Sequence, residues 1–204
     1  MKRWTAALFA LAALPALAQP TPKATARPPA AKAAAVVAAP AWTVDQRASS
    51  IGFAGAMDGT AFRGAFSRWS AAIRFDPANL AGSSARVIVE PASVASGDGS
   101  RDATLREGDW FDTARNPQVI FQSTSFRTTG PNRYEAIGTL NVKGRAIPLT
   151  LPFTLNIAGA QADMRATISL DRTRLGLGVQ FDPSGAQVAK AVTVSIVVKA
   201  TRAQ

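Results

Sequence analysis

From Trp42 onward the chain alternates between apolar and polar positions. Ile147, Leu149, Leu151, Phe153, Leu155 and Ile157 fall on one parity, with Pro148, Thr150, Pro152, Thr154 and Asn156 on the other. Successive side chains of a strand point to opposite faces, so a period of two predicts a strand with one buried face. The two prolines on the outward parity predict positions where a ladder donor is not needed. The same period runs through Tyr134, Ala136, Gly138, Leu140 and Val142, and through Ala162, Met164, Ala166, Ile168 and Leu170. It returns in Val192, Val194, Ile196 and Val198. Val119, Phe121, Ser123 and Ser125 give another strand, whose alternation breaks at Phe126. Phe62, Gly64 and Phe66 share a parity that Trp69, Ala71, Ile73 and Phe75 do not, so a bulge is predicted near Arg68-Trp69.

Turn residues separate these runs. Lys143-Gly144-Arg145 and Ala158-Gly159-Ala160 predict hairpins, and Asp76-Pro77-Ala78-Asn79 closes an earlier strand. The predicted strands are 42–46, 49–57, 60–76, 83–91, 118–127, 133–142, 146–157 and 161–171, with 190–201 as a ninth or as the closure of the first. This is an all-β chain, an antiparallel barrel or sandwich of about eight strands. A barrel of that size is filled by its own side chains or holds one small ligand. One stretch, 97–112 (GDGSRDATLREGDWFD), lacks the alternation. It predicts a short helical insertion near 99–111 over one end of the barrel. Ser100 is its expected cap, Asp102 lies near its positive end, and Trp110 and Phe111 anchor it.

The N-terminus reads differently. A basic start, Met1-Lys2-Arg3, precedes an apolar run to Leu17, and Ala16-Leu17-Ala18 fits a small-x-small cleavage signal. Residues 1–18 are therefore expected to be a secretory signal peptide, and the mature protein periplasmic or secreted. Residues 19–41 are a Pro/Ala-rich linker without aromatics, expected to stay extended outside the fold. Residues 42–204 are expected to form the domain.

The chain of 204 residues is 47% hydrophobic, enough for a core, and has no Cys and no His. That excludes Ser-His-Asp and Cys-His nucleophiles, His or Cys zinc sites, and the usual haem ligands. The formal charge is +10. Lys2, Arg3, Lys23, Arg27 and Lys32 supply half of it, and the rest is scattered, as on a solvated basic surface. Nucleic-acid binding finds no support, because basic residues are not clustered among aromatics.

Two groups are candidate functional residues. The first is apolar: Ile51, Phe53, Phe62, Phe66, Ile73, Phe75, Val87, Val89, Trp110, Phe111, Phe121, Leu140, Leu149, Leu151 and Phe153 can line a tunnel or simply fill a core, and Phe126 belongs to the same aromatic set. The second is the charged cluster of the insertion, Arg101, Asp102, Arg106, Asp109 and Asp112. It can meet a polar headgroup at the mouth through Arg101 and Asp102, or serve as local ion pairs and caps. A carboxylate hydrolase is a weaker reading, and Asp98, Asp102 and Asp109 do not have the spacing of a calcium loop.

An ordered series of short motifs spans the domain. It runs Trp42-Thr43-Val44-Asp45, Ser50-Ile51-Gly52-Phe53, Gly64-Ala65-Phe66, Ile73-Arg74-Phe75-Asp76-Pro77, Arg101-Asp102, Leu105, Trp110-Phe111-Asp112, Asn116-Pro117 and Phe121-Gln122-Ser123. Gly138-Thr139-Leu140-Asn141-Val142-Lys143-Gly144 and Pro148-Leu149 continue it. Over roughly 42–200 the chain resembles the YceI-like family. The resemblance implies an extended lipocalin-like antiparallel β-barrel, exported to the periplasm. It implies a carrier that holds a polyisoprenoid, quinone-like or prenyl, in a long apolar tunnel; with the nucleophile and metal classes excluded above, no catalysis and no cofactor beyond that lipid are expected. It also implies a possible partner, a membrane cytochrome of the b561 type, for which a non-carrier accessory role is the alternative. Family members often carry His where this chain has Ala48 and Met57, so any headgroup contact those imidazoles make has no counterpart here. Arg172-Thr173-Arg174-Leu175-Gly176-Leu177-Gly178 keeps the family's Arg and Gly character, whereas 179–189 departs from its pattern.

Overall fold

The alternating runs become the staves of a barrel. The computed structural model describes residues 37–203, so the expected signal peptide and most of the expected linker lie outside the described residues. The strands are β1 (Ala41–Val44), β2 (Ser50–Met57), β3 (Thr60–Phe66), β4 (Trp69–Arg74), β5 (Ser84–Val89), β6 (Val94–Ala95), β7 (Val119–Gly130), β8 (Arg133–Val142), β9 (Arg145–Ala158), β10 (Gln161–Asp171) and β11 (Ala191–Arg202). One helix, α1 (Gly99–Arg106), sits between β6 and β7. Every pairing is antiparallel, and the order β1-β4-β5-β7-β8-β9-β10-β11 closes because β11 returns to β1 through Trp42↔Arg202.

The short strands are halves of longer staves. β1 and β2 both pair with β11, and β3 and β4 pair with β2 and β1, so 41–74 is one long hairpin with two breaks. Its partner breaks too, because a 3₁₀ turn at Pro91–Ser93 separates β5 from β6. Both breaks lie at one height and Ser93 joins them. Its hydroxyl accepts the Arg68 N–H at 3.0 Å, and its carbonyl accepts the Ser67 N–H at 3.2 Å. The break at Ser67-Arg68 is the predicted bulge, and it lets Phe66 and Trp69 both face the interior.

A second irregularity explains Phe126. The β7–β8 register shifts between Ser123 and Ser125, which returns Phe126 to the inner face. Gly138 stands opposite, where an added Cβ would lie 2.3 Å from the Gln122 carbonyl oxygen. Only glycine allows that approach. Asp58-Gly59 and Lys143-Gly144 close two-residue hairpins with positive φ at both positions, 49° and 76° in the first, 49° and 71° in the second. These are the mirror-image turns that match strand twist.

The antiparallel order gives the barrel two ends. The lower end carries the 75–83 loop and the β7–β8 and β9–β10 turns. It is packed: Phe75 contacts Phe126 and Tyr134 at 5.3 Å and Phe153 at 5.8 Å between ring centroids. Small residues Ala136, Ala166 and Ala200 make room for these rings in the same cluster. The Trp42 indole N–H donates to the Phe75 carbonyl at 2.9 Å. The upper end carries the β2–β3 and β8–β9 tips, the α1 insertion and the long 172–190 loop.

Two expectations are corrected. The cap of α1 is Asp98, whose carboxylate accepts the Arg101 N–H at 3.0 Å. Ser100 falls inside the first turn, where its carbonyl accepts the Thr104 hydroxyl. The linker also ends earlier than 41. Ala39 is 1% exposed and donates its N–H to Gly82, and the Pro40 carbonyl accepts the Phe75 N–H. Small residues flanking a proline carry no apolar period, so their docking left no mark in the alternation.

The wall is not uniformly hydrogen bonded. The β9–β10 ladder runs from Ala158↔Gln161 to Phe153↔Ala166 and stops. Above that point Arg145–Pro152 pairs with β8 and Thr167–Asp171 with β11, but not with each other. Pro148 and Pro152, both exposed, lie in this unpaired half. The sequence placed a missing donor at these positions, and the ladder ends at the second of them.

Candidate functional site

The interior holds an apolar hollow of about 280 Å³ that runs along the barrel. All fifteen apolar candidates, Ile51, Phe53, Phe62, Phe66, Ile73, Phe75, Val87, Val89, Trp110, Phe111, Phe121, Leu140, Leu149, Leu151 and Phe153, lie on its wall. Phe53, Phe62, Phe66, Ile168 and Leu170 face inward yet are only half-buried. Inward apolar side chains that keep accessible surface mark an unfilled centre, in contrast to the packed lower end. Phe53 stacks obliquely on Phe66 at 5.3 Å, and Phe66 meets Phe111 edge-on at 5.9 Å, so the insertion roofs the upper end with its own aromatics.

Other wall residues were visible only as alternation. Met164, Ile168 and Leu170 of β10 and Val192, Val194, Ile196 and Val198 of β11 line the staves between Phe153 of β9 and Phe53 of β2. Trp69, Leu105, Leu177 and Val188 complete it. Among the described residues, Arg172 is the one charged group on the wall. The inward parity of Leu170 extends to Arg172, a signal the sequence contained.

Arg172 is 1% exposed and its donors are all taken. Nε and a terminal nitrogen donate to the Val188 carbonyl at 3.2 and 2.7 Å, and Nε also reaches that of Ala189 at 3.3 Å. The other terminal nitrogen donates to Leu177 and Gly178 at 2.9 and 3.0 Å. The Asp182 carbonyl and carboxylate accept at 2.7 and 3.2 Å. The guanidinium carbon lies 5.5 Å from the Trp110 ring centroid. A planar fork with five N–H groups suits this convergence of carbonyls. Its chemical effect is to fold 172–190 into a clamp that places Leu175, Leu177 and Val188 on the hollow.

Asp182 completes the clamp. The Val188 amide, foremost, and then the Ser184 hydroxyl and the Gln187 and Ala186 amides hold its carboxyl well below the usual carboxylate range, against the opposing push of burial. Two further ties join the clamp to its neighbours. The Asp109 carboxylate accepts the Gln180 and Phe181 amides at 3.0 and 2.9 Å. The Lys143 ammonium donates to Gly108, Asp109 and Gly176 carbonyls at 2.8, 3.1 and 3.3 Å.

The charged candidates of the insertion do local work. Arg101 lies over the Phe62 ring at 4.6 Å and pairs with Asp98 at 3.6 Å. The Asp102 carboxylate accepts the Ser96 N–H at 2.9 Å, and that of Asp112 pairs with Arg115 at 3.5 Å. Neither Arg101 nor Asp102 is among the residues that line the hollow, and the contacts they make here are packing and capping ones. Among the described residues the wall is apolar apart from Arg172, whose donors are occupied, so what it offers a ligand is dispersion and hydrophobic burial.

The comparisons agree with this architecture. A crystal structure of BcnA from Burkholderia cenocepacia superposes with a TM-score of 0.74 at 30% identity, covering 78% of this chain and 100% of that one. A domain of Saccharophagus degradans described as polyisoprenoid binding and implicated in plant cell wall breakdown superposes at 0.61. Its identity is 15%, over 80% of this chain and 99% of that one, so the likeness is one of fold. Among curated proteins, a UPF0312 protein of Vibrio parahaemolyticus is 30% identical over 89 residues, 44% of this chain and 47% of that protein. The chain thus spans about half the length of the curated relatives it matches. The model of the YceI-like domain matches residues 42–200, every stave of the barrel from β1 to β11, and the chain belongs to that family.

Proposed function

We propose that this protein binds a long apolar lipid of the isoprenoid class in its barrel and carries it in the periplasm, without catalysing a reaction on it. The observation that carries the reading is the hollow itself: an unfilled, apolar interior with one charged residue, whose donors are already satisfied. Such a wall recognises a chain by its length and apolarity. Each buried methylene-sized group contributes about 0.8 kcal/mol, so a chain of many prenyl units needs no polar contact for tight binding. The branched, unsaturated units of an isoprenoid suit a wall built from Phe, Leu and Val. The polyisoprenoid description of the Saccharophagus degradans domain supports the same class. The apolar run before Ala18 supports export.

The test is native mass spectrometry with lipid extraction of the purified protein, followed by titration with prenyl quinones. Bound or acquired isoprenoid is the expected result. A folded, lipid-free protein that acquires none sinks the reading and leaves an accessory role beside a membrane cytochrome.

A further inference from the structure

We propose that the unpaired upper half of the β9–β10 junction is a lateral portal through which the apolar chain passes into the hollow. This rests on the lipid-binding reading above. The observation is the end of the ladder at Phe153↔Ala166, in a barrel whose neighbouring junctions continue. β9 remains fully paired with β8 up to Val142↔Arg145, and β10 with β11 up to Asp171↔Ala191. No pairing joins the two strand pairs above that point, while each pair stays intact. Pro148 and Pro152 keep the seam from zipping, because a proline has no N–H to give.

The seam opens directly on the hollow. Leu149 and Leu151 on one edge and Ile168 and Leu170 on the other all line it. Outside, Thr150 and Ser169 are exposed, so no large side chain is anchored across the outer lip at that height. The other interruptions of the wall are covered. Above Val89↔Val119, where β5 and β7 part, the α1 insertion supplies Leu105 and Phe111; below Arg86↔Gln122, the 3₁₀ turn at Leu80–Gly82 brings Leu80 onto the core. Among the described residues, the polar bridge across the β9–β10 seam lies at its top, where the Lys143 ammonium meets the Gly176 carbonyl and the Arg145 side chain lies over Gly176. A flexible chain needs a slot rather than a wide mouth. Opening it costs no ladder hydrogen bond, since none is present.

The test uses the full chain, whose lack of cysteine makes introduced pairs unique. Continuing the register places Thr150 opposite Ser169. T150C/S169C is bridged with a short bis-maleimide, and T154C/R165C, a pair within the ladder, is the control. Loading of solanesol from phosphatidylcholine vesicles is followed by native mass spectrometry. The bridged seam is expected to load slower by roughly tenfold or more, with the control unchanged. Equal rates in the two bridged proteins overturn the portal. If the bridged seam does not fold, Lys143→Ala decides: faster loading supports the portal, and an unchanged rate overturns it. Failure of the parent protein to load at all refutes lipid binding instead, which keeps the two claims apart.

Discussion

Replacing Arg172 with Met keeps most of the side-chain volume and removes every hydrogen bond the guanidinium makes. The parent group is 1% exposed and serves carbonyls of five residues as well as the Asp182 carboxylate. Breaking a buried pair from one side costs about 3–5 kcal/mol, because the partner groups stay buried without their donor. For a folded body of this size each kcal/mol lowers Tm by roughly 2–4 °C, so a fall of roughly 6–20 °C is expected. Circular dichroism melting measures it, and hydrogen exchange of the amides of 177–189 locates it. Arg172→Lys retains the charge but not the planar fork, and is expected to recover only part of the loss. A Met variant within about 1 kcal/mol of the parent, with those amides still protected, would refute the assignment of Arg172 as the clamp's centre.

Three other outcomes follow from the same geometry. Phe121→Asp puts an unpaired carboxylate on an 8%-exposed wall position and is expected to abolish solanesol loading or folding, read by native mass spectrometry beside circular dichroism. Arg101→Ala removes a partly exposed ion pair and a cation–π contact, and is expected to cost about 1 kcal/mol in melting experiments while loading changes little. Because the Asp182 carboxyl is depressed in the folded state, its contribution is fully present above the unfolded value of about 3.9 and is lost as pH falls from there toward the folded value. With no His to titrate, Tm should hold between about pH 5 and 8 and drop below about pH 4, and Asp182→Asn should flatten that drop.

Much of the barrel could be read from parity alone. The phase change at Arg68-Trp69 became the break between β3 and β4, and the two prolines of β9 marked the edge of its ladder. A period of two reports which side chains share a face, and in a closed barrel that face is the hollow, so the Phe, Leu and Val candidates all lie on its wall. Parity could not report whether that face meets itself or encloses a void, since both give the same alternation. Nor did it show the clamp: Arg172 is joined to Asp182 across a loop whose partners are backbone carbonyls and amides, and these leave no residue-type signature. Asp98 displaced Ser100 as cap for a local reason, two residues of register at a helix start where both types are suitable.

The closure of the barrel also sets the direction in which it faces. The Ala203 N–H donates to the Ala41 carbonyl at 2.9 Å, beside the Trp42↔Arg202 pair, so the described chain comes in and goes out at the lower end. The seam and the roofed upper end lie at the far end of the staves. A reporter, bead or second domain fused after residue 203 would therefore hold the protein by its base with the working end outward. Joining residues 37 and 203 through a linker, which keeps the docked Ala39 and Pro40, would likewise permit new termini at Asp58-Gly59, an exposed turn, without cutting a stave.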